Sequence, residues 1–372
     1  MRRAARTARV RRWLSWRRWL RVTCALLAVL VAAPAAFVGV NCYGNGPQPQ
    51  TSRPDVVRGI DNYSRAESFT YLTLPEWLIV YSSDDYATAI AGSAPSRFPY
   101  FRSIAQYWSQ YAAVCQVTKR EYPFEAGYHV MLAVIGVSFS VEYAIKGLYE
   151  NTLGRFSEWL GTHDTAEDLF AARTAQEYGR FMHTVPWYEF PFGSKLIALW
   201  KQPFWGPHLI RKWERRVVLT AEYGVKAIYG SLIGFASGAA YDAENLTLHA
   251  WIENVPEAVF GGPTVKSVKQ VGERSYIVRL PRYESFTRVA LELDARGVRW
   301  IDIAGNDEIL VTAIADKTRA PDVTPGRILA TTDLLSSTSN ARLAIRVPVA
   351  SLHEVLERLR RGGATIEHLY DY

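Results

Sequence analysis

The feature that most constrains this chain is an uncharged run over residues 22–42, VTCALLAVLVAAPAAFVGVNC. A helix needs about 20 apolar residues to cross a hydrocarbon layer of roughly 30 Å, so we expect a transmembrane anchor here. Nine arginines lie within residues 1–21, and the first acidic residue is Asp55. The positive-inside rule then predicts a basic cytoplasmic tail, with the bulk of the chain extracytoplasmic at a cell membrane.

A cleaved signal peptide is the alternative interpretation of residues 22–42. The apolar stretch that precedes Pro34 is about a dozen residues long, and Ala33-Pro34-Ala35 is similar to a small-residue cleavage site. Both interpretations send the rest of the chain across the membrane. Residues 43–54 are rich in Pro, Gly and Gln and are predicted to form an exposed linker.

The basic charge of the chain is concentrated in its first residues. The formal net charge is +7, from 43 Lys and Arg against 36 Asp and Glu. Without the nine N-terminal arginines, 34 basic residues face 36 acidic ones, so the body is nearly neutral. This distribution argues against a nucleic-acid surface. The expected partners are membrane lipid and either another envelope protein or a small ligand.

A repeated motif lies within residues 55–243, which we predict to be an aromatic-rich helical domain. The segment EYAIKGLY begins at Glu142, and EYGVKAIY begins at Glu222, at an offset of 80 residues. Pro-Phe at 123–124 recurs at 203–204 at the same offset. We interpret this as a two-fold internal repeat, with copies at about residues 98–160 and 190–240.

Glu, Lys and Tyr stand at positions i, i+4 and i+7 of each motif and therefore share one helix face. The two motif helices are expected to pack on each other, with this layer either fixing their register or forming a functional polar site. The candidate polar site comprises Glu142, Lys146, Tyr149, Glu222, Lys226 and Tyr229. The uncharged run 126–141 has about 16 residues, short for a span. Aqueous or interfacial helices are favoured, and membrane crossing at about 126–148 and 217–241 stays open.

Residues 244–372 have the pattern of an α+β domain. The predicted order of elements, β-α-β-β, a longer connection and then β-α-β, resembles a ferredoxin-like sandwich in architecture. Strands are predicted at 246–253, 276–280, 298–304, 309–315, 343–349 and 364–370, and helices at 283–296 and 351–361. The likeness concerns the fold alone and implies no activity.

Motifs for chemistry are lacking in the sequence. There is no GxGxxG, GxxxxGK[ST], HExxH or GxSxG segment, and the seven histidines have no convincing ligand spacing, so neither a cofactor nor a metal is predicted. Glu167 and Asp168 are interpreted as the charged start of an amphipathic helix over 165–182. The basic cluster 211–216 is interpreted as a solvated helix turn or a headgroup contact. Cys42 and Cys115 are either a disulfide in an oxidising compartment or two free thiols.

Two functional hypotheses follow. The first is a non-catalytic, membrane-anchored protein of the bacterial envelope that binds a partner or ligand. The second is a membrane enzyme or transport component with its site at the Glu–Lys–Tyr layer. A polar cleft reaching Glu142 and Glu222 favours the second hypothesis, and a closed, dry helix interface there favours the first. Because it has no recognisable catalytic motif, the sequence favours the non-catalytic hypothesis and leaves the enzyme hypothesis open.

Overall fold

The computed structural model describes residues 21, 23–25, 28–44, 46–47, 55–237 and 246–372. The basic tail over residues 1–20, most of the predicted linker and the predicted domain boundary at 239–245 lie outside the described residues. Within them, a helical domain precedes a region of antiparallel sheets, which confirms the predicted order of structural classes.

Helices make up the first part of the described chain. The N-terminal apolar helix α1 (Thr23–Asn41) precedes eight further α-helices in this part of the described chain. These helices are α2 (Ser68–Leu72), α3 (Leu74–Gly92), α4 (Tyr100–Glu121), α5 (Ala126–Tyr149), α6 (Arg155–Leu160), α7 (Ala166–Met182), α8 (Phe192–Trp200) and α9 (Leu209–Ser237). A π-helical turn at Glu150–Gly154 joins α5 to α6, and α10 (Glu284–Ala295) lies within the later sheet region.

Helix α1 contacts the body through its last turns only. Phe37 packs against Trp108 and Tyr111 of α4, with ring centroids 4.9 and 5.3 Å apart. Just after α1, a disulfide joins Cys42 to Cys115 of α4. Most of the described residues of α1 before these contacts are exposed. By length and composition, two described stretches could cross a membrane, namely α1 and the α5–α6 stretch Ala126–Leu160.

Eight strands and the helix α11 complete the described part of the chain. The strands are β1 (Thr247–Glu253), β2 (Lys266–Gly272), β3 (Ser275–Pro281), β4 (Arg299–Ile303), β5 (Glu308–Asp316), β6 (Arg327–Asp333), β7 (Asn340–Pro348) and β8 (Thr365–Leu369), with α11 at Leu352–Arg361. They form two four-stranded sheets, in the orders β2-β3-β1-β4 and β6-β7-β5-β8. Every pairing within these two sheets is antiparallel.

The ferredoxin-like prediction is not confirmed, because the strands fall into two sheets instead of one. The sequence pattern missed β2 and β6, one edge strand in each sheet. β2 has no buried residue and β6 has a single one. An edge strand that buries no face carries no alternation of apolar and polar residues, so it leaves little trace in the sequence.

The two sheets have the same internal design. Each consists of three strands, a helix and a fourth strand, joined in the same spatial order. The register between β1 and β4 shifts directly after Trp251, and that between β5 and β8 shifts at the equivalent step, after Thr312. The β2–β3 and β6–β7 pairs also share one shift, after Ser267 and Ile328. The C-terminal region is therefore a structural duplication. The sequence patterns did not predict this repeat.

One apolar core serves both sheets and both of their helices, and it includes Phe286 of α10 and Leu356 of α11. The opposite face of the second sheet packs on the helical domain. There, Leu310 and Tyr370 join the core of the helical domain, and the Tyr81 hydroxyl lies 2.9 Å from that of Thr312. The helical domain and the sheets thus share a buried interface.

Candidate functional site

Helices α5 and α9 meet through four charged side chains, which we call the ionic ring: Glu142, Lys146, Glu222 and Lys226. Nζ of Lys146 lies 2.7 Å from Oε1 of Glu222 on the other helix and 3.6 Å from Oε1 of Glu142 on its own. Nζ of Lys226 lies 2.8 Å from Glu142 and 3.6 Å from Glu222. Each ammonium group therefore bridges both carboxylates, and the stronger contacts run between the helices.

A small cavity opens beside the ionic ring. Its volume for water-sized molecules is about 60 Å³, room for roughly four waters. The ring side chains are partly buried, with exposed fractions of 38% for Glu142, 22% for Glu222, 17% for Lys146 and 12% for Lys226. Aromatic side chains form much of the wall, including Tyr86, Phe139, Tyr143, Tyr178 and Phe192.

Aromatic rings contact both lysines of the ionic ring. Nζ of Lys146 lies 4.9 Å from the centroid of Tyr86. Nζ of Lys226 lies 4.8 Å from that of Tyr178 and 5.2 Å from that of Phe192. A cation over an aromatic face is stabilised by the ring quadrupole, more strongly where water is excluded. These contacts hold the ammonium groups in place.

The charge balance of the ionic ring limits its chemistry. Each carboxylate has two ammonium groups within 4 Å, and opposite charges at this distance favour the ionised form of both groups. A general acid or base needs a group that changes its protonation state near the working pH. The four side chains instead satisfy one another, so the arrangement suits a register-fixing contact or a fixed charge pattern better than proton transfer.

The two tyrosines of the predicted site lie elsewhere. The Tyr149 hydroxyl donates to Glu214 at 2.5 Å. The Tyr229 ring is partly exposed and packs against Trp187 in a tilted arrangement, with centroids 5.5 Å apart. Helical spacing alone placed them on the same face as the Glu–Lys pairs. In the structure, the four charged residues come together and the tyrosines bind separate partners.

A second, larger ionic cluster lies under the start of α9. Arg211, Lys212, Arg215 and Arg216 are all buried, which corrects the interpretation of residues 211–216 as a solvated turn or headgroup contact. Their acidic partners come from other helices and the intervening turn as well as from α9 itself: Asp168 for Arg211, Glu167 for Lys212 and Arg216, and Glu150 and Glu214 for Arg215.

The acids of this cluster were in part visible in the sequence. Thr165 and Asp168 form a capping box at the start of α7, with the Asp168 amide donating to the Thr165 hydroxyl at 3.2 Å. The same Asp168 carboxylate accepts from Arg211 Nη2 at 2.6 Å. The sequence of α9 also contains a pattern that indicates the cluster. Two pairs of basic residues, 211–212 and 215–216, are each followed by an apolar residue, at 213 and 217.

A buried polar group that sequence reasoning missed surrounds Glu76 of α3. The Tyr128 hydroxyl donates to Glu76, and Arg282 Nε donates to Asp371 at 2.8 Å nearby. Burial raises the pKa of Glu76 to about 7, against the opposing effects of Tyr128 and Arg282. Glu76 lies at the interface of the helical domain and the sheets, and no spacing in the sequence points to it.

Histidines and acids of the same interface pair locally. His183 Nε2 lies 2.7 Å from Asp84. Asp84 and its neighbour Asp85 lie inside α3. Burial opposes the charged form of His183, but the Asp84 carboxylate raises its pKa overall. The His368 pKa falls to about 3 because that ring is buried, so His368 stays neutral.

Metal-ligand geometry occurs in one group of the described residues. Cys42, Cys115 and His129 have their ligand atoms within 4.8 Å of one another. Both sulfur atoms belong to the disulfide, and a metal requires a thiolate. His129 Nδ1 is already 2.8 Å from the Tyr111 hydroxyl. We therefore interpret this group as a disulfide that links the end of α1 to α4, and not as a metal site.

Comparison of the chain with protein-family models, with curated proteins and with solved structures yields no match. The interpretation of the site therefore depends on the residues and contacts described above.

Proposed function

We propose that this chain is a membrane-anchored protein of the cell envelope that acts by binding a partner and not by catalysis. The main support for this proposal is the cross-paired ionic ring, in which Lys146 and Lys226 each form ion pairs with both Glu142 and Glu222. Ligand sites usually enclose about 300–1,000 Å³, well above the cavity of about 60 Å³ beside the ring. The candidate partners are membrane lipid, another envelope protein and a small ligand.

The proposed topology places the N-terminus in the cytoplasm and the body outside it. The nine arginines before the apolar helix support the orientation. The disulfide between Cys42 and Cys115 supports an oxidising compartment for the body. We also infer that the α5 and α9 motifs are copies of one helical unit, because the two cross-helix ion pairs have nearly equal distances of 2.7 and 2.8 Å.

Fractionation and protease protection test the anchor and its orientation. The full chain should sediment with membranes and resist extraction by high salt and by carbonate. Protease added outside spheroplasts should digest the body and spare a tag on the N-terminus. Recovery of the full chain in the soluble fraction would reject the anchor, and a mature N-terminus near residue 36 would reject the uncleaved form alone.

The alternative function, a transport component or enzyme with its site at the ionic ring, has its own test. The full chain and the double variant Glu142→Gln/Lys226→Met are reconstituted in vesicles, and proton flux is followed with an internal pH dye. We expect both proteins to match protein-free vesicles. A flux in the wild type that the double variant loses would support transport through the ring and contradict a purely binding role.

A further inference from the structure

Helix α9 turns its charged residues inward and its large apolar residues outward, the reverse of an ordinary surface helix. A helix on the surface of a soluble protein turns charged residues to water and apolar residues to the core. All seven charged residues of α9 face inward and form ion pairs, with exposed side-chain fractions between 0% and 22%. The large side chains that face outward are apolar: Ile210, Trp213, Val217, Val225, Ile228 and Leu232.

The neighbouring helices continue this surface. The outward residues of α5 are Val130, Val134, Val141, Ile145 and Leu148, and those of α6 are Phe156, Trp159 and Leu160. The charged residues of α5, Glu142 and Lys146, point into the ionic ring. Monomeric soluble proteins rarely expose a continuous apolar patch of this extent. We call the outward residues of α5, α6 and α9 the apolar face.

We propose that the apolar face contacts the acyl chains of the membrane lipid. The inference rests on the membrane attachment proposed above, which supplies the occupant. Helix α1 packs on α4 through Phe37 and Trp108, and Trp108 donates to Ser140 of α5 at 2.9 Å. The membrane helix and the apolar face therefore belong to one packed layer, so lipid that surrounds α1 is adjacent to α5.

The dimensions of the apolar face fit a bilayer. From Ile210 to Leu232 the helix rises about 33 Å at 1.5 Å per residue, close to the roughly 30 Å of a hydrocarbon core. Aromatic residues collect where α6 ends and α9 begins, among them Trp159, Phe204 and Trp205, all exposed. Tryptophan is enriched at the headgroup level, and Lys201 and His208 are exposed at the same end, with Arg155 exposed at the start of α6.

Two exposed polar side chains, one on α9 and one in the turn between α5 and α6, bond to backbone carbonyls of the preceding helical turn. The Ser231 hydroxyl donates to the Ala227 carbonyl at 2.7 Å, and the Thr152 hydroxyl donates to the Leu148 carbonyl at 2.7 Å. A polar group in lipid must find its partner inside the protein, because the hydrocarbon offers none. The inward charges satisfy the same requirement through the ionic ring and the cluster under α9.

Site-directed spin labelling of the full chain tests the proposal. Single cysteines replace Val134, Val217 or Val225 in a Cys24→Ser background that keeps the disulfide, and matched controls replace the exposed residues Arg173 and Gln176 of α7. The labelled proteins are reconstituted in vesicles of phosphatidylcholine and phosphatidylglycerol. Collision rates with oxygen, which concentrates in lipid, and with a water-soluble nickel chelate are then compared.

We expect labels on the apolar face to collide more with oxygen than with nickel, and labels on α7 to show the reverse. Nickel access at Val217 and Val225 equal to that at α7 would overturn the proposal. Dipolar broadening between labels, or shielding from both reagents, would also overturn it, by identifying a second copy or another protein as the occupant. Loss of the protein from carbonate-washed vesicles would instead reject the membrane attachment itself.

Discussion

At the residue scale, the geometry of the ionic ring allows an estimate of how much each ion pair contributes to stability. Lys226 lies 2.8 Å from Glu142 and 3.6 Å from Glu222, so its removal leaves two partly buried carboxylates facing a single ammonium group. The cost of breaking an ion pair ranges from almost nothing at the surface to about 3–5 kcal/mol when it is fully buried. The ring lies between these limits.

Lys226→Met should therefore lower the free energy of unfolding by about 1–3 kcal/mol, measured by urea denaturation of the purified full chain in detergent. The double variant Glu142→Gln/Lys226→Met should recover part of that loss, because it removes the unpaired charge as well. Glu292→Gln, in the exposed pair with Arg288, is the control and should change little. An equal effect of Lys226→Met and Glu292→Gln would contradict the pairing.

Glu76 makes stability depend on pH. Its pKa rises from 4.5 in the unfolded chain to about 7 in the folded one, so within this window the unfolded state loses the proton first. The contribution of Glu76 to stability is therefore fully present below pH 4.5 and is lost as the pH rises through 7. Glu76→Gln mimics the protonated acid and should remove this decline.

Above pH 7, Glu76→Gln should be more stable than the wild type by about 2 kcal/mol, less than the full equivalent of the shift because Glu76 is only partly buried. Below pH 4.5, the two proteins should have equal stability. Thermal unfolding across this pH range measures the difference, with the exposed Glu257→Gln as control. A pH-independent difference between Glu76→Gln and the wild type would show that Glu76 does not titrate in this window.

At the scale of elements, the duplicated sheet units predict equivalent roles for equivalent residues. Gly297 follows α10 with φ of +76°, and Gly363 follows α11 with φ of +79°. A Cβ at Gly363 would meet no atom within 4 Å, and one at Gly297 would meet only the Asn254 side chain at 3.8 Å. Steric clash with neighbours is therefore minor at both positions, and backbone conformation decides the effect of a substitution.

Gly297→Ala and Gly363→Ala should each cost about 1–2 kcal/mol, the penalty of a left-handed conformation for an L-residue. Gly262→Ala is the matched control, since Gly262 has φ of −108° and open space around its Cβ position. Unfolding free energies of the three variants provide the test. Clearly unequal costs at Gly297 and Gly363 would argue against equivalent turns in the two units.

At the scale of the whole molecule, the disulfide between Cys42 and Cys115 joins residues 73 positions apart. It holds the end of the apolar N-terminal helix against α4 and closes a loop that contains α2, α3 and part of α4. In the chain-entropy account, a loop of this length stabilises the folded state by about 4 kcal/mol.

Cys115→Ser should therefore lower stability by about 4 kcal/mol or less, whereas Cys24→Ser, at an exposed free cysteine, should have no effect. Mass spectrometry after alkylation of the denatured, unreduced protein should find modification at Cys24 alone. Alkylation of all three cysteines would show that the thiols are free, the other state that the sequence left open.

The sequence by itself determined those features that depend on neighbours along the chain. The apolar run at 22–42, the capping box at Thr165 and the α10 and α11 faces are local patterns, and their periods alone indicate helices. The recurrence of Glu and Lys at 142/146 and 222/226 also pointed to the right residues for the ionic ring. The helical domain followed by sheets could be predicted from the change in hydrophobic period.

Only the tertiary structure decided which partner each charge meets and how the strands divide. The lysines of the ring bind more closely to the glutamate of the other helix, and the acids that pair with Arg211 and Arg216 come from α7, more than 40 positions earlier. Edge strands β2 and β6 bury almost nothing, so local pattern could not separate two sheets from one. Burial of an arginine depends on distant chain segments, and hydrophobic periodicity carries no information about them.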